Sequence, residues 1–234
     1  MTDVTDQHVT HEDEADTSTI DSLRALALEH EFDYQDADPS LTQRWGAPPF
    51  SNPGHPRALD VVNSERDGLP VVAFRFTVSE QERSASASTG YGGGLKLTIP
   101  GVEDSYLVVA AALPSPLPRF ALAPQDGAVD EVPYGHVFEL EDPGLAERYD
   151  VYAADGDVAS AVMHLDAVQR IREHRTVDWR VEGRDVIAVD PLGDGERTVE
   201  EVLATIDAVA AIAKGIGADA YGRHKPRAAY PPPG

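Results

Sequence analysis

The sequence predicts an α+β fold: a mostly antiparallel twisted sheet with an N-terminal helix, an inserted helix and a C-terminal helix packed on it. Runs of β-branched and aromatic residues fill the middle of the chain, as in strands. An Asp-Gly pair, a strong hairpin signal, joins two of these runs. Apolar residues recur at helical spacing near both ends. For a chain of 234 residues, we expect a single domain over residues 18–214.

The first half of this pattern contains a helix and three strands. Ile20, Leu23 and Leu26 have helical spacing, which predicts a helix over Thr19–His30. Ala58–Glu65 and Leu69–Ser79 are β-rich runs joined by Arg66-Asp67-Gly68. The small-residue stretch 84–94 is predicted to be a loop, and Leu95–Ile99 a further strand.

Prolines separate the next two predicted strands, Tyr106–Ala112 and Arg119–Ala123. Because proline cannot donate to a β-ladder, the prolines between them predict an interruption of the sheet at an edge or in a crossing loop. His136–Leu140 is a further predicted strand. Asp142-Pro143 has the composition of an N-cap followed by a first-turn proline, which predicts a short helix through Tyr149.

The last third combines helices and short strands. Asp150–Ala153 is predicted to be a strand and Val158–His174 a helix with a break at Asp166. Thr176–Val181 and Val186–Val189 are predicted to form a second hairpin around Gly183.

The C-terminal helix is predicted from a capping box and an apolar stripe. Thr198 and Glu201 have the capping-box spacing, and the helix is expected to end at Gly215. One apolar face has to be covered, so we expect this helix to pack on one face of the sheet, with Leu203 and Ile206 as its most buried residues. The stripe consists of Val199, Val202, Leu203, Ile206, Val209, Ala210 and Ala213.

Charge is concentrated near the N-terminus. The formal net charge is −22, from 41 acidic residues against 19 Lys and Arg, and residues 1–40 hold twelve of the acids with one base, Arg24. Residues 1–17 also lack large apolar periodicity, so we expect a disordered acidic tail. Residues 215–234, rich in Gly and Pro, are predicted to be a second flexible tail.

Composition also excludes several classes of protein and site. The net charge argues against nucleic-acid binding and against docking on anionic lipid. The absence of cysteine excludes disulfides, thiolate nucleophiles and cysteine-ligated metals. The acidic N-terminus is unlike a signal peptide, and the longest apolar run, Leu107–Leu113, is too short to cross a bilayer. The sequence therefore predicts a soluble cytoplasmic protein without membrane insertion.

No catalytic, cofactor-binding or metal-binding residue is predicted. The N-terminal His and acidic residues around His8 and His11 lie in the predicted tail, which offers no rigid site. Asp190–Gly195 resembles a calcium loop but has Leu192 where an oxygen ligand is required. Gly90–Gly94 with Lys96 lacks the end of a phosphate-binding P-loop. The motifs of serine hydrolases, zinc proteases and dinucleotide-binding enzymes are also absent.

Three aromatic residues are candidates for contact with a partner: Trp45, Phe50 and Tyr91. Trp45 and Phe50 flank the stiff Pro48-Pro49 pair. Exposed, they would form an interaction hot spot with Arg44; buried, they would plug the end of the sheet. Large aromatic residues are usually buried, which favours the plug. Tyr91 lies in the predicted glycine-rich loop.

The leading functional hypothesis is a non-catalytic binding or scaffolding module with a protein partner. One alternative is an enzyme, such as a hydrolase, with an unrecognised His or carboxylate site. Another is that the acidic tail mimics nucleic acid and binds a basic partner surface. The sequence does not determine the oligomeric state.

The order of several short segments resembles a widespread actinobacterial family of unknown function, some of whose members are attached to membranes. The resemblance covers about residues 20–190 and implies no activity, cofactor or catalytic residue. The segments that carry it are Phe32-Asp33-Tyr34, Asp38-Pro39-Ser40-Leu41, Arg44-Trp45, Gly46-Ala47-Pro48-Pro49-Phe50, Arg57-Ala58, Val61, Gly68, Ala73-Phe74-Arg75-Phe76, Leu117-Pro118 and Glu147-Arg148-Tyr149-Asp150-Val151.

Overall fold

The predicted α+β class is confirmed: helices pack on an antiparallel sheet. The computed structural model describes residues 14–79, 83–89, 93–99, 103–125, 136–140, 142–154, 156–163, 165–173, 178–192 and 197–223. The helices within these ranges are α1 (Glu14–Glu29), a 3-10 helix (Pro39–Gln43), α2 (Pro143–Ala146), α3 (Gly156–Val162), α4 (Leu165–Glu173), α5 (Val199–Gly215) and α6 (Ala218–Arg223). The strands are β1 (Asp33–Ala37), β2 (His55–Arg66), β3 (Leu69–Ser79), β4 (Arg83–Thr89), β5 (Gly93–Ile99), β6 (Glu103–Pro124), β7 (His136–Phe138), β8 (Tyr149–Ala153) and β9 (Trp179–Pro191).

The long strand β6 joins the two halves of the sheet. Its first half pairs with β3, from Val71↔Ala111 to Ser79↔Glu103, and its second half pairs with β8. β9 pairs with both halves, on the edge of β6 opposite to β3 and β8. β1 and β2 extend the sheet beyond β3, and β7 extends it beyond β8.

The predicted interruption at the prolines is wrong, because β6 is one strand of 22 residues. Its pairing with β9 shifts register between Ala112 and Leu117 and again before Phe120. Pro114 and Pro116 are exposed inside that shift, where no ladder hydrogen bond is required of them. The prolines therefore mark a bend in a continuous strand.

The predicted second hairpin is also wrong. Residues Trp179–Val181 and Asp185–Pro191 pair with β6 and not with each other. Gly183, at φ 64°, adopts the left-handed conformation that glycine tolerates best and lies opposite Leu117, within the same register shift. β9 thus bends where β6 bends.

The predicted loop at residues 84–94 is largely a β-ladder. β4 pairs with β5 from Arg83↔Ile99 to Thr89↔Gly93, which continues the register of the β3–β6 ladder four residues further along each strand. Small residues are weak strand formers, but strand propensity depends strongly on context, and here the ladder lies in register with the one between β3 and β6.

The central strands are buried on both faces, and two hydrophobic cores result. Val71 and Ala73 of β3 lie in the helix-side core, under α1 and α5. Phe74 and Phe76 lie in the loop-side core, where the segment 39–50 takes the place of a helix layer. Period-two alternation along β3 divides its residues between these two cores.

Helix α5 covers the sheet as predicted, packing on β3, β6 and β9. Thr198 and Glu201 form the predicted capping box. Ile206 is fully buried, but Leu203 is only partly buried at the margin of the helix-side core, so its prediction was wrong. The most buried stripe instead continues through Val209 and Ala210.

Three helix boundaries and the C-terminal end of the folded region differ from the prediction. Helix α1 begins at Glu14 and not at Thr19, so it includes the last residues of the predicted tail 1–17. The Asp142 cap and the proline at the first turn are confirmed, but α2 ends at Ala146 because Tyr149 enters β8. The predicted helix over 158–174 is two helices, α3 and α4, separated slightly before the predicted break. At the C-terminal end, Ile216 and Ala220 are buried in the helix-side core, so the folded region extends past residue 214.

Among the described residues, none of the helices combines the length and apolar character needed to cross a membrane.

Replacing Ile206 with alanine should lower the free energy of unfolding by about 2–5 kcal/mol, because the change leaves a cavity in a packed core. Leu203→Ala removes a partly buried side chain of the same size and should cost about 1 kcal/mol. Urea unfolding of both variants measures the difference. Equal losses would contradict the burial pattern of α5.

Limited proteolysis should leave one stable core. We expect its N-terminal end to lie before Ser22, which is buried, and its C-terminal end after Ala220, because cleavage requires local unfolding of packed segments. Mass spectrometry of the resistant fragment locates both ends. Two separately stable fragments, or trimming back to Lys214, would contradict a single domain with these limits.

Candidate functional site

Trp45 and Phe50 are buried in the loop-side core, with exposed fractions of 5% and 7%. The Trp45 ring stacks on Phe74 with 6.0 Å between centroids, and the Phe50 ring meets the edge of Phe76 at 4.8 Å. Of the two alternatives for these residues, burial at the sheet as a plug is the one that the structure has. A role for either residue in partner contact stays a prediction, and it would require the loop to leave the sheet.

Buried carboxylates of β9 hold residues 44–50, here called the aromatic loop, on the sheet. Arg44 donates to both Asp185 oxygens, at 3.1 Å from Nε and 2.8 Å from the terminal nitrogen, and Trp45 Nε1 donates to Asp185 at 3.0 Å. Asp185 is almost fully buried. A buried carboxylate requires this kind of pairing, so its three donors give it a structural role.

Two further charged residues of β9, Arg180 and Glu182, hold the centre of the aromatic loop. The Gly46 amide donates to Glu182 Oε2 at 3.1 Å, while Arg180 Nε lies 2.8 Å from Glu182 Oε1. Arg180 also donates to the Pro48 carbonyl at 2.6 Å. These charged groups are therefore engaged in holding the loop.

Three polar residues on the helix side of the sheet, Tyr34, Asp60 and Arg75, have a structural role as well. Tyr34 donates its hydroxyl proton to Asp60 at 2.8 Å, and Arg75 Nε lies 3.3 Å from the other Asp60 oxygen. Asp60 lies in a β-bulge of β2, with φ at 53°. Burial, and then the hydrogen bond to Asp60, raise the pKa of Tyr34. Tyr34 accordingly remains a proton donor at neutral pH.

Several sequence candidates lie outside the described residues. Tyr91 and its neighbours Gly90 and Gly92 are among them, as are His8, His11 and residues 193–196 of the calcium-like loop. Asp190, the first residue of that loop, pairs with Arg197 at 2.7 Å. The part of the chain that the structure describes has no group of three His, Asp or Glu residues placed to hold a metal ion.

The three described histidines do not form a catalytic arrangement. His30 stacks on Phe32 with 5.4 Å between ring centroids. His55 and His136 are exposed at the first residues of β2 and β7. None of the three lines the cleft described next.

A cleft with a cavity of about 360 Å³ lies between the edge strand β7, strand β8 and helices α3 and α4. This volume is within the range of small-molecule sites. Its lining is mainly apolar: Phe138, Leu140, Val151, Ala159, Met163 and Val168. Gly156, also in the lining, makes room for Phe138, because a Cβ at that position would lie 3.2 Å from the Phe138 ring.

Polar groups are located at the mouth of the cleft. Asp142 accepts a hydrogen bond from the Leu145 amide at 3.0 Å, which caps α2, and it pairs with Arg172 of α4. The hydrogen bond from Arg172 holds the pKa of Asp142 below its ordinary value, so this carboxylate is ionised at neutral pH. Glu139 and Ser160, both exposed, complete the polar lining.

An open depression of about 530 Å³ adjoins the cleft. Glu139 and Leu140 line both spaces. Pro143, Ala146 and Glu147 form the rest of the wall of the depression. The cleft therefore opens from an apolar interior onto a surface bearing carboxylates.

Sequence reasoning did not identify this cleft. Its walls come from four elements, β7, β8, α3 and α4, together with Asp142, the cap of α2, and no motif connects them. Two features of it were visible in the sequence: the cap at Asp142 and the break between α3 and α4. Neither indicates that a cavity lies between these elements.

Changing Asp185 to asparagine should lower the free energy of unfolding by about 2 kcal/mol, since hydrogen bonds to a charged group are lost and Arg44 keeps an unpaired charge. Asp67→Asn is the matched control. Asp67 pairs with Lys214 at 3.2 Å on the surface, so its loss should cost under about 0.5 kcal/mol. Urea unfolding compares the two, and similar losses would refute the structural role of Asp185.

Comparison with known proteins identifies a similar fold. No protein-family model matches the chain, and no curated protein matches it. Among solved structures, the mycobacterial trehalose monomycolate transport factor A, TtfA, is similar with a TM-score of 0.55 and 16% sequence identity. The match covers 86% of this chain and 97% of that chain. At this identity the likeness shows a shared fold.

Proposed function

We propose that the protein is a non-catalytic binding module that takes the apolar part of a small ligand into the cleft between β7, β8, α3 and α4. The observation that carries this proposal is the cavity of about 360 Å³ with six apolar side chains in its wall. Apolar clefts with a few polar groups at the rim are the usual form of small-ligand sites.

The chemistry of the lining supports binding over catalysis. Among the described residues that line the cavity, only Ser160 carries a hydroxyl, and none of the three described histidines lines it. Asp142 is occupied by the cap of α2 and by Arg172. A catalytic serine requires a base within hydrogen-bond distance, which the described lining does not provide.

A transport-related accessory role belongs to the same proposal. TtfA is named as a transport factor, and a module that holds an apolar ligand without reacting with it suits such work. A protein partner and a cytoplasmic location, both predicted from the sequence, complete the proposal.

The two alternative functions depend on residues outside the described ranges. An enzyme would need a histidine such as His164 or His174 to join a carboxylate. The acidic-tail hypothesis depends on residues 1–17, most of which lie before α1. Deleting residues 1–13 tests the second alternative, because capture of a basic partner should then be lost.

A neutral apolar fluorophore, 1-aminoanthracene, should bind the full chain saturably at one site, with increased emission as it leaves water for the cleft. Ser160→Trp places a large side chain at the exposed edge of the cleft and should weaken binding at least tenfold. Fluorescence titration measures both affinities.

Ala204→Trp is the control, because Ala204 is exposed on α5 and outside the cleft. This variant should bind the fluorophore like the parent protein. Non-saturable binding, or equal weakening in the two variants, would overturn the proposed site. Thermal unfolding of both variants establishes that the folded state is retained.

A further inference from the structure

The shape of the cleft indicates what kind of ligand it takes, and this inference rests on the proposed function. The cavity and the open depression share Glu139 and Leu140 as a common wall. A ligand whose apolar part fills the cavity would therefore place its other end in the depression. The occupant should be an amphiphile, since one space is apolar and the other faces water.

The exposed charges on the wall of the depression are predominantly negative. Glu139 and Glu147 are both exposed on its wall, and neither is paired with a cation among the described residues. Asp142 lies at the mouth of the cavity with its charge matched by Arg172. The nearby Arg148 donates to the Gly144 carbonyl at 3.2 Å and lies over the Tyr149 ring. Two carboxylates are thus available to the polar end of a ligand.

We propose that the cleft binds an amphiphile with an apolar chain and a cationic, ammonium-type head. The chain contacts Phe138, Leu140 and Met163, and the head lies between Glu139 and Glu147 in the depression. An ammonium group donates three hydrogen bonds and carries the complementary charge. An anionic head at the same place would meet the like charges of Glu139 and Glu147.

The effect of the head should be modest, because both carboxylates are exposed. Ion pairs at exposed sites stabilise by up to about 1 kcal/mol, which corresponds to about a fivefold change in affinity. The apolar chain therefore provides most of the affinity, and the head selects among amphiphiles of equal chain length.

Three octyl ligands separate the two contributions: octylammonium, octan-1-ol and octanoate. Displacement of 1-aminoanthracene from the full chain at low ionic strength measures each affinity. We expect octylammonium to bind about threefold more tightly than octan-1-ol, and octanoate about threefold more weakly. The double substitution Glu139→Gln and Glu147→Gln should abolish this order while leaving octan-1-ol unchanged.

The control is Glu65→Gln together with Glu200→Gln, which removes the same charge from exposed sites outside the cleft. This control should retain the order of the three affinities. If the order came from the net charge of the protein, both double variants would lose it. Equal affinities, or tightest binding of octanoate, would overturn the cationic head while the cleft remains a binding site. Failure of all three ligands and of the fluorophore to bind would overturn the proposed function itself.

Discussion

The rest of the structure depends on the pairing of one bent strand, β6, with three partners. β6 pairs with β3 along its first half, with β8 along its second, and with β9 along both. Because β9 continues through the register shift at Gly183 and pairs with both halves of β6, the two halves of the sheet form one structure. Both α5, which packs across β3, β6 and β9, and the aromatic loop lie on surfaces that this pairing creates.

Two unlike layers cover the sheet, and they are held by different forces. The helix side is an apolar core in which Leu23, Ile206 and Trp179 are among the buried side chains. Among the described residues, the loop side has one short 3-10 helix, Pro39–Gln43, and the loop that carries Trp45 and Phe50 is held on the sheet by the buried carboxylates Asp185 and Glu182. Irregular backbone buried on a sheet requires partners for its polar groups, which explains the charges in that core.

The cleft results from the short elements at the other end of the sheet. β7 has three residues and α2 four, and neither is long enough to fill the space beside α3 and α4. Met163 and Val168, on the two sides of the break between those helices, line the resulting cavity. Long elements account for the rigid cores, and the short elements between them provide the candidate binding surface.

Short stretches of sequence were enough to predict the local features: the antiparallel class, the Asp67-Gly68 turn, the Asp142 and Thr198 caps, and the covered face of α5. Each depends on residues within a few positions of one another. The pairing partners could be known only from the tertiary structure, because β6 and β9 join residues 57–85 positions apart. The register around the prolines and Gly183 depends on both strands. The cleft could not be predicted for the same reason. A cavity forms where elements distant in sequence leave space between them, and no local sequence pattern indicates that space.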